Sequence, residues 1–219
     1  MTKIEIEAGL QEICPSLQLG IIQCKVNTKE ENPNLWQLIN ETTINIQQNL
    51  AIPAIADIPA IKSSKKAYRA IGKDPSRYRL SAESLLRRIV NGKGLYKINN
   101  VVDLLNLASI KSGFSIGGYN ADKIEGTVRF GIGKADEIYQ GIGRGKLNID
   151  KLPIFRDQQG AFGSPTSDSL RTQIDESCSN FLMIIISFQS ENGLTEAMDV
   201  AINLLKEYAE AEQIQKTML

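Results

Sequence analysis

Apolar and polar positions change period several times along this chain, and each change marks an element. Leu17, Leu19 and Ile21 alternate with Gln18 and Gly20, and the run continues through Ile22 to Val26, as in a buried strand. Pro33-Asn34 opens a helical stretch with Leu35, Trp36, Leu38 and Ile39 on one side. Pro53 and Pro59 interrupt the next segment, so residues 52 to 61 read as an apolar connector or short helical turns, and a soft boundary falls near Ser63. That divides the chain into an N-terminal strand–helix extension, 1–62, packed on a main unit, 63–219, or leaves it as one continuous domain.

Three later helices are better marked. Ser81 is placed to cap Ala82 to Val90, which buries Leu85, Leu86, Ile89 and Val90 before Gly92 and Gly94. Asn100 with Asp103 has the spacing of a capping box. It opens a helix with Val101, Leu104, Leu105 and Ala108 on its apolar face, stopped by Gly113. A last helix begins near Thr195 and carries Met198, Ala201, Ile202, Leu205 and Tyr208 at helical spacing. Strands lie between: Val128, Phe130 and Ile132 alternate, and Phe181 to Ile186 is an unbroken apolar run, the signature of a central strand covered on both faces. Helices and strands mix without a regular βαβ repeat, so the fold class is α+β, with a mixed or antiparallel central sheet and packed helices.

Composition narrows the chemistry. Histidine is absent from all 219 residues, which excludes Ser-His-Asp and Cys-His catalysis and His-ligated zinc. Three cysteines without C-x-x-C spacing argue against a disulfide framework or a thiolate metal site. No metal or cofactor is expected. Acids in MTKIEIEAGLQEI replace the bare apolar stretch of a signal peptide, and no apolar run is long enough for a bilayer. A cytoplasmic protein is the expectation. Lys+Arg and Asp+Glu both number 25, so net charge points to no partner. Their distribution is uneven: residues 62 to 97 hold eleven basic residues against Asp74 and Glu83, whereas from Asp175 onward two lysines face eight acids. The first segment would steer a polyanion to one face, or simply keep the surface solvated.

Two clusters invite a functional reading. Glycines 131, 133, 141, 143 and 145 match no phosphate-loop motif and fall between strands, so turns and close backbone approach explain them best. The segment from Gly163 to Thr172 is different: it holds five hydroxyls, Asp168 and Arg171 just before the most apolar strand. Ser and Thr there can build a turn, with Asp168 and Arg171 holding one another. Alternatively the loop lines the mouth of a pocket, Arg171 or a backbone N–H facing an anion and Asp168 an amine.

Arg69-Ala-Ile-Gly, the stretch from Ser81 to Gly126, and within it Asn99-Asn100-Val101-Val102-Asp103, Asn106, Gly113, Tyr119 and Lys123-Ile124-Glu125-Gly126 resemble the editing (B3/B4) domain of the phenylalanyl-tRNA synthetase beta subunit. The hydroxyl-rich loop resembles that of free-standing members, and the resemblance runs from Lys66 to about Gln189. It implies a trans-acting protein that hydrolyses or recognises a mischarged aminoacyl-tRNA, with the acceptor end of tRNA as partner. Asp168 and Ser169 are then the candidate catalytic residues. Asn106, Ser115, Gly117, Gly118, Ser167, Arg171 and Thr172 are candidate substrate contacts, and Arg69, Arg77, Arg79, Arg87 and Arg88 candidate RNA contacts. Gly117 stands where the synthetase has a histidine and Leu105 where it has a threonine, so tyrosine specificity is not implied. A non-catalytic RNA- or amino-acid-binding module of the same fold, or a hydrolase of another small acyl substrate, are the alternatives. Aminoacylation is not expected, because no ATP-binding motif is visible.

Overall fold

The computed structural model describes residues 1–189 and 193–219. The described strands are β1 (Ile4–Ile6), β2 (Gln18–Lys25), β3 (Ser115–Asn120), β4 (Val128–Ile132), β5 (Gln140–Gly141), β6 (Gly145–Lys146), β7 (Pro153–Asp157), β8 (Gly160–Gly163), β9 (Asn180–Ser187) and β10 (Glu212–Met218). The helices are α1 (Ala8–Ile13), α2 (Pro33–Asn49), α3 (Pro59–Ile71), α4 (Ser81–Val90), α5 (Asn100–Ser112) and α6 (Leu194–Tyr208).

The α+β expectation holds. One sheet, ordered β10-β2-β9-β3, is antiparallel throughout; a second, β1-β4-β7-β8, pairs β1 with β4 in parallel and is otherwise antiparallel. The apolar run of β9 sits inside the first sheet, and its alternation explains why no polar residue interrupts it. Phe181, Met183 and Ile185 pack into the core shared with α2, α4, α5 and α6. Leu182, Ile184 and Ile186 pack into a second core with Val128, Phe130, Phe155 and Phe162 of the other sheet. A strand buried on both faces needs apolar residues at every position.

β2 pairs with β9 over eight residues, from Gln18 opposite Ser187 to Lys25 opposite Asn180. The segment before residue 63 therefore supplies an inner strand of the main sheet. The soft boundary near Ser63 falls inside α3, whose first residue is Pro59. Proline read as a breaker is here a helix starter, because the first turn has no use for its missing N–H.

Two caps differ from expectation. Leu80 occupies the cap of α4, and Ser81 is its first helical residue, with its N–H donating to the Pro165 carbonyl at 2.8 Å. At α5 the cap is Asn99, not Asn100: the Asn99 side chain accepts from Val102 N at 2.9 Å. Asn100 is fully buried and holds three distant backbone groups, accepting from Lys29 N and donating to the Asn27 and Tyr208 carbonyls. Asp103 accepts from Ile98 N at 3.0 Å and from the Trp36 indole at 2.7 Å. Gly113 ends the helix in the left-handed conformation, φ 77°, as expected. Among the described residues, no helix is long and apolar enough to cross a membrane.

Candidate functional site

A cavity of ≈ 230 Å³ opens between α5, β3 and the hydroxyl-rich loop. Val102, Leu105 and Asn106 come from α5, and Ile116 and Gly118 from β3. Ser164, Ser167 and Asp168 come from the loop, Gln173 and Ile174 from the segment after it, and Ser81, Ile98 and Ile142 complete the lining. At about 30 Å³ per water, it holds roughly eight waters or a ligand of similar atom count. Six aliphatic side chains share its wall with six polar ones, a mixture that suits a small ligand with both an apolar and a polar part. A larger cavity of ≈ 580 Å³ lies between the ends of α3, α5 and α6, lined by Lys111, Phe114 and Glu196 among others. The chemistry concentrates in the smaller one.

Asp168 is the only carboxylate among the described residues that line it. Its Oδ1 accepts from the Tyr119 hydroxyl at 2.9 Å. Tyr119 is fully buried, and the room for its hydroxyl comes from two glycines: a Cβ at either Gly117 or Gly163 would stand 2.1 Å from that oxygen. Gly117 and Tyr119 share a face of β3, so the ring leans back over the glycine. Burial pushes the Asp168 carboxyl up to about 7, against the pull of the Tyr119 hydroxyl and of the Gly118 and Ser164 backbone N–H groups. Burial and the nearby carboxylate hold the Tyr119 phenol well above its ordinary range, so it remains the donor.

Hydroxyls fix the loop behind Asp168. Ser164 Oγ accepts from Thr166 N and Ser167 N and donates to the Ser167 carbonyl. Buried Tyr139 donates to the same carbonyl at 2.6 Å, and Tyr68 pairs with Thr166 at 2.9 Å. The β5–β6 hairpin folds over the loop through Ile142 N to the Asp168 carbonyl, 2.9 Å, which brings Ile142 to the rim.

Of the residues singled out from sequence, Asn106, Gly118, Ser167 and Asp168 meet at the cavity. The Asn106 amide makes no hydrogen bond with any described residue and is free for a ligand. Gly118 lies on β3 and admits Leu105: a Cβ there would meet Leu105 Cδ1 at 2.3 Å. Gly117 and Ser115 occupy the opposite face of β3, away from the cavity. Ser169 is also elsewhere: it is buried, and its Oγ accepts from Arg171 N to open the 3₁₀ turn Leu170–Thr172. Thr172 is fully buried outside the lining. Arg171 does not hold Asp168. Its guanidinium grips both oxygens of Asp157, at 2.7 and 3.1 Å, and the Lys123 carbonyl. Asp157 sits at the end of β7, and nothing in the local sequence announces that pairing.

The basic segment is partly consumed by the protein itself. Glu83 is buried, with Arg87 at 2.8 Å, Lys65 at 3.2 Å and Arg79 at 4.0 Å. Lys73 turns onto the Asp150 and Asn148 carbonyls. Arg88 lies 3.7 Å over the ring of Tyr96. Arg69 and Arg77 are exposed. Sequence reasoning missed Tyr119 as a support for Asp168; its spacing of two from Gly117 on a strand was the available signal.

Residues 63–210 match the family model described as B3/4 domain. Among solved structures, the fold is similar to an N-terminal fragment of the phenylalanyl-tRNA synthetase beta subunit from Pyrococcus horikoshii, with TM-score 0.52 and 12% identity. That superposition covers 99% of this chain and 54% of the fragment, so the chain spans about half the length of that relative. No curated protein sequence matches it.

Proposed function

The chain belongs to the B3/4 domain family, and from that premise we propose that it is a trans-acting deacylase whose cavity receives the aminoacyl end of a mischarged tRNA. The observation that carries this reading is Asp168: the one carboxyl of the cavity's described lining, raised to about 7, with one oxygen fixed by Tyr119, in a cavity of amino-acid size that also holds aliphatic side chains and the Asn106 amide. A group titrating near the working pH is suited to general-base work.

The aliphatic wall of Val102, Leu105, Ile116 and Ile174 takes the amino-acid side chain, and the Asn106 amide orients the ester. Asp168 accepts a proton from a water as its oxygen bonds to the ester carbonyl carbon. The acyl–oxygen bond then breaks, and the proton passes to the departing ribose oxygen, leaving a free amino acid and a free tRNA end. An aminoacyl ester is already activated, so orientation and one base suffice. Leu105 in the wall supplies no hydrogen bond, so nothing at that position selects a hydroxylated side chain.

A panel of mischarged tRNAs tests this. Wild type releases at least one amino acid above the buffer rate, with a rate that rises about tenfold per pH unit below 7 and levels above it. Asp168→Asn loses that release. No release from any member of the panel sinks the proposal.

A non-catalytic module is the second reading. It is favoured by Ser169 and Arg171, the first engaged by its own turn and the second by Asp157, which leaves Asp168 as the one charged side chain in the cavity's described lining. It predicts thermal stabilisation by ligand without turnover, and Asp168→Ala that weakens binding only.

A further inference from the structure

We propose that Tyr96, backed by Arg88, is a stacking platform for the terminal base of an unpaired RNA 3′ end whose acyl group enters the cavity. Tyr96 is 60% exposed, an uncommon state for a large ring that packs on no apolar core. The Arg88 guanidinium covers one face at 3.7 Å, and its Nε is buried without a hydrogen-bond partner. The planar cation is thus spent on holding the ring flat. Most of the ring is left to solvent, in a segment that also carries exposed Lys93, and Lys97 that pairs with Glu31 at 2.8 Å.

Position connects this platform to the cavity. Ile98, two residues along the chain from Tyr96, lines the cavity and is itself 52% exposed. Its N–H is pinned by Asp103 at 3.0 Å, so the rim is fixed to α5. Two residues of chain span at most about 7 Å, so the ring lies within that distance of the cavity rim. An RNA end stacked on Tyr96 therefore delivers its terminal ribose to the mouth of the cavity. Aromatic stacking with flanking basic residues is the recognition mode of single-stranded nucleic acid, and it tolerates any base.

This inference rests on the deacylase reading, and the experiment separates the two. Low-salt binding of a tRNA with its unpaired 3′ end intact, and of the same tRNA lacking its last nucleotide, is measured for wild type, Tyr96→Ala and Tyr96→Phe. Tyr96→Ala weakens binding of the intact RNA roughly 5- to 100-fold, and Tyr96→Phe leaves it nearly unchanged. Shortening the RNA weakens wild type by a similar factor and Tyr96→Ala hardly at all. The side chain is on the surface, so unchanged melting temperatures check the fold. If Tyr96→Ala binds the intact RNA as wild type does while wild type still deacylates, the platform is overturned and the deacylase stands. If wild type binds neither RNA, both fall.

Discussion

Asp168 sets the chemistry of the site, and its environment also makes it a cost to the fold. Burial raises its carboxyl from 3.8 to about 7, so the native state keeps a proton that the unfolded chain releases. Stability therefore falls as pH rises from about 4 through 7, and the loss is complete above 7. A carboxyl displaced that far corresponds to about 4 kcal/mol at full burial. Asp168→Asn, whose amide oxygen still accepts from Tyr119, should unfold at higher urea than wild type at pH 8 and at nearly the same urea at pH 4. A difference independent of pH would mean that Asp168 titrates at its ordinary value. A second residue-scale expectation concerns the slot for the Tyr119 hydroxyl. Gly163→Ala puts a methyl 2.1 Å from that oxygen, and buried Tyr119 has no alternative space. Thermal melts should show a loss of about 1–3 kcal/mol, as for other overpacked cores. Asp168 was legible from sequence as a carboxylate in a polar loop ahead of a core strand. Its support was not, because Tyr119 and Gly163 meet only through the approach of β3 and β8.

The same limit applies to whole elements. β9 and α6 were legible because apolar period alone specifies a strand buried on two faces and an amphipathic helix. The start of α5 was legible to within one residue. Asn99 and Asn100 are both competent caps, and the choice between them is made by groups 71 to 108 residues away in sequence: Lys29, Asn27 and Tyr208. That assignment yields an ordering. Asn99→Ala removes one cap bond and should cost about 1 kcal/mol. Asn100→Ala leaves the Lys29 N–H and the Asn27 carbonyl without their partner at a fully buried site, while the Tyr208 carbonyl keeps the Asn32 amide, and should cost about 2–4 kcal/mol. Urea titrations of the two variants check this; equal costs, or a larger cost for Asn99, would return the cap to Asn100. α3 was lost for a different reason: Pro59 has the same local meaning at a break and at a first turn, and only the sheet beneath decides.

At the scale of the molecule, charge is the feature whose meaning sequence could least determine. Eleven basic residues lie between 62 and 97, yet Lys65, Arg79 and Arg87 surround Glu83, Lys73 is bound to carbonyls and Arg88 backs Tyr96. Arg69 and Arg77 remain exposed and carry no ion pair to any described residue. If the chain binds tRNA as proposed, these two meet phosphate and Arg87 does not. Each phosphate contact removed lowers the slope of log affinity against log salt by about 0.7 to 0.9. Arg69→Gln and Arg77→Gln should each reduce the slope by roughly that amount with little change in melting temperature. Arg87→Gln should do the reverse, lowering the melting temperature because it exposes a buried carboxylate to fewer cations, and leaving the salt slope alone. Equal slopes for all three variants would remove the basic segment from the RNA interface and confine recognition to the cavity and its rim.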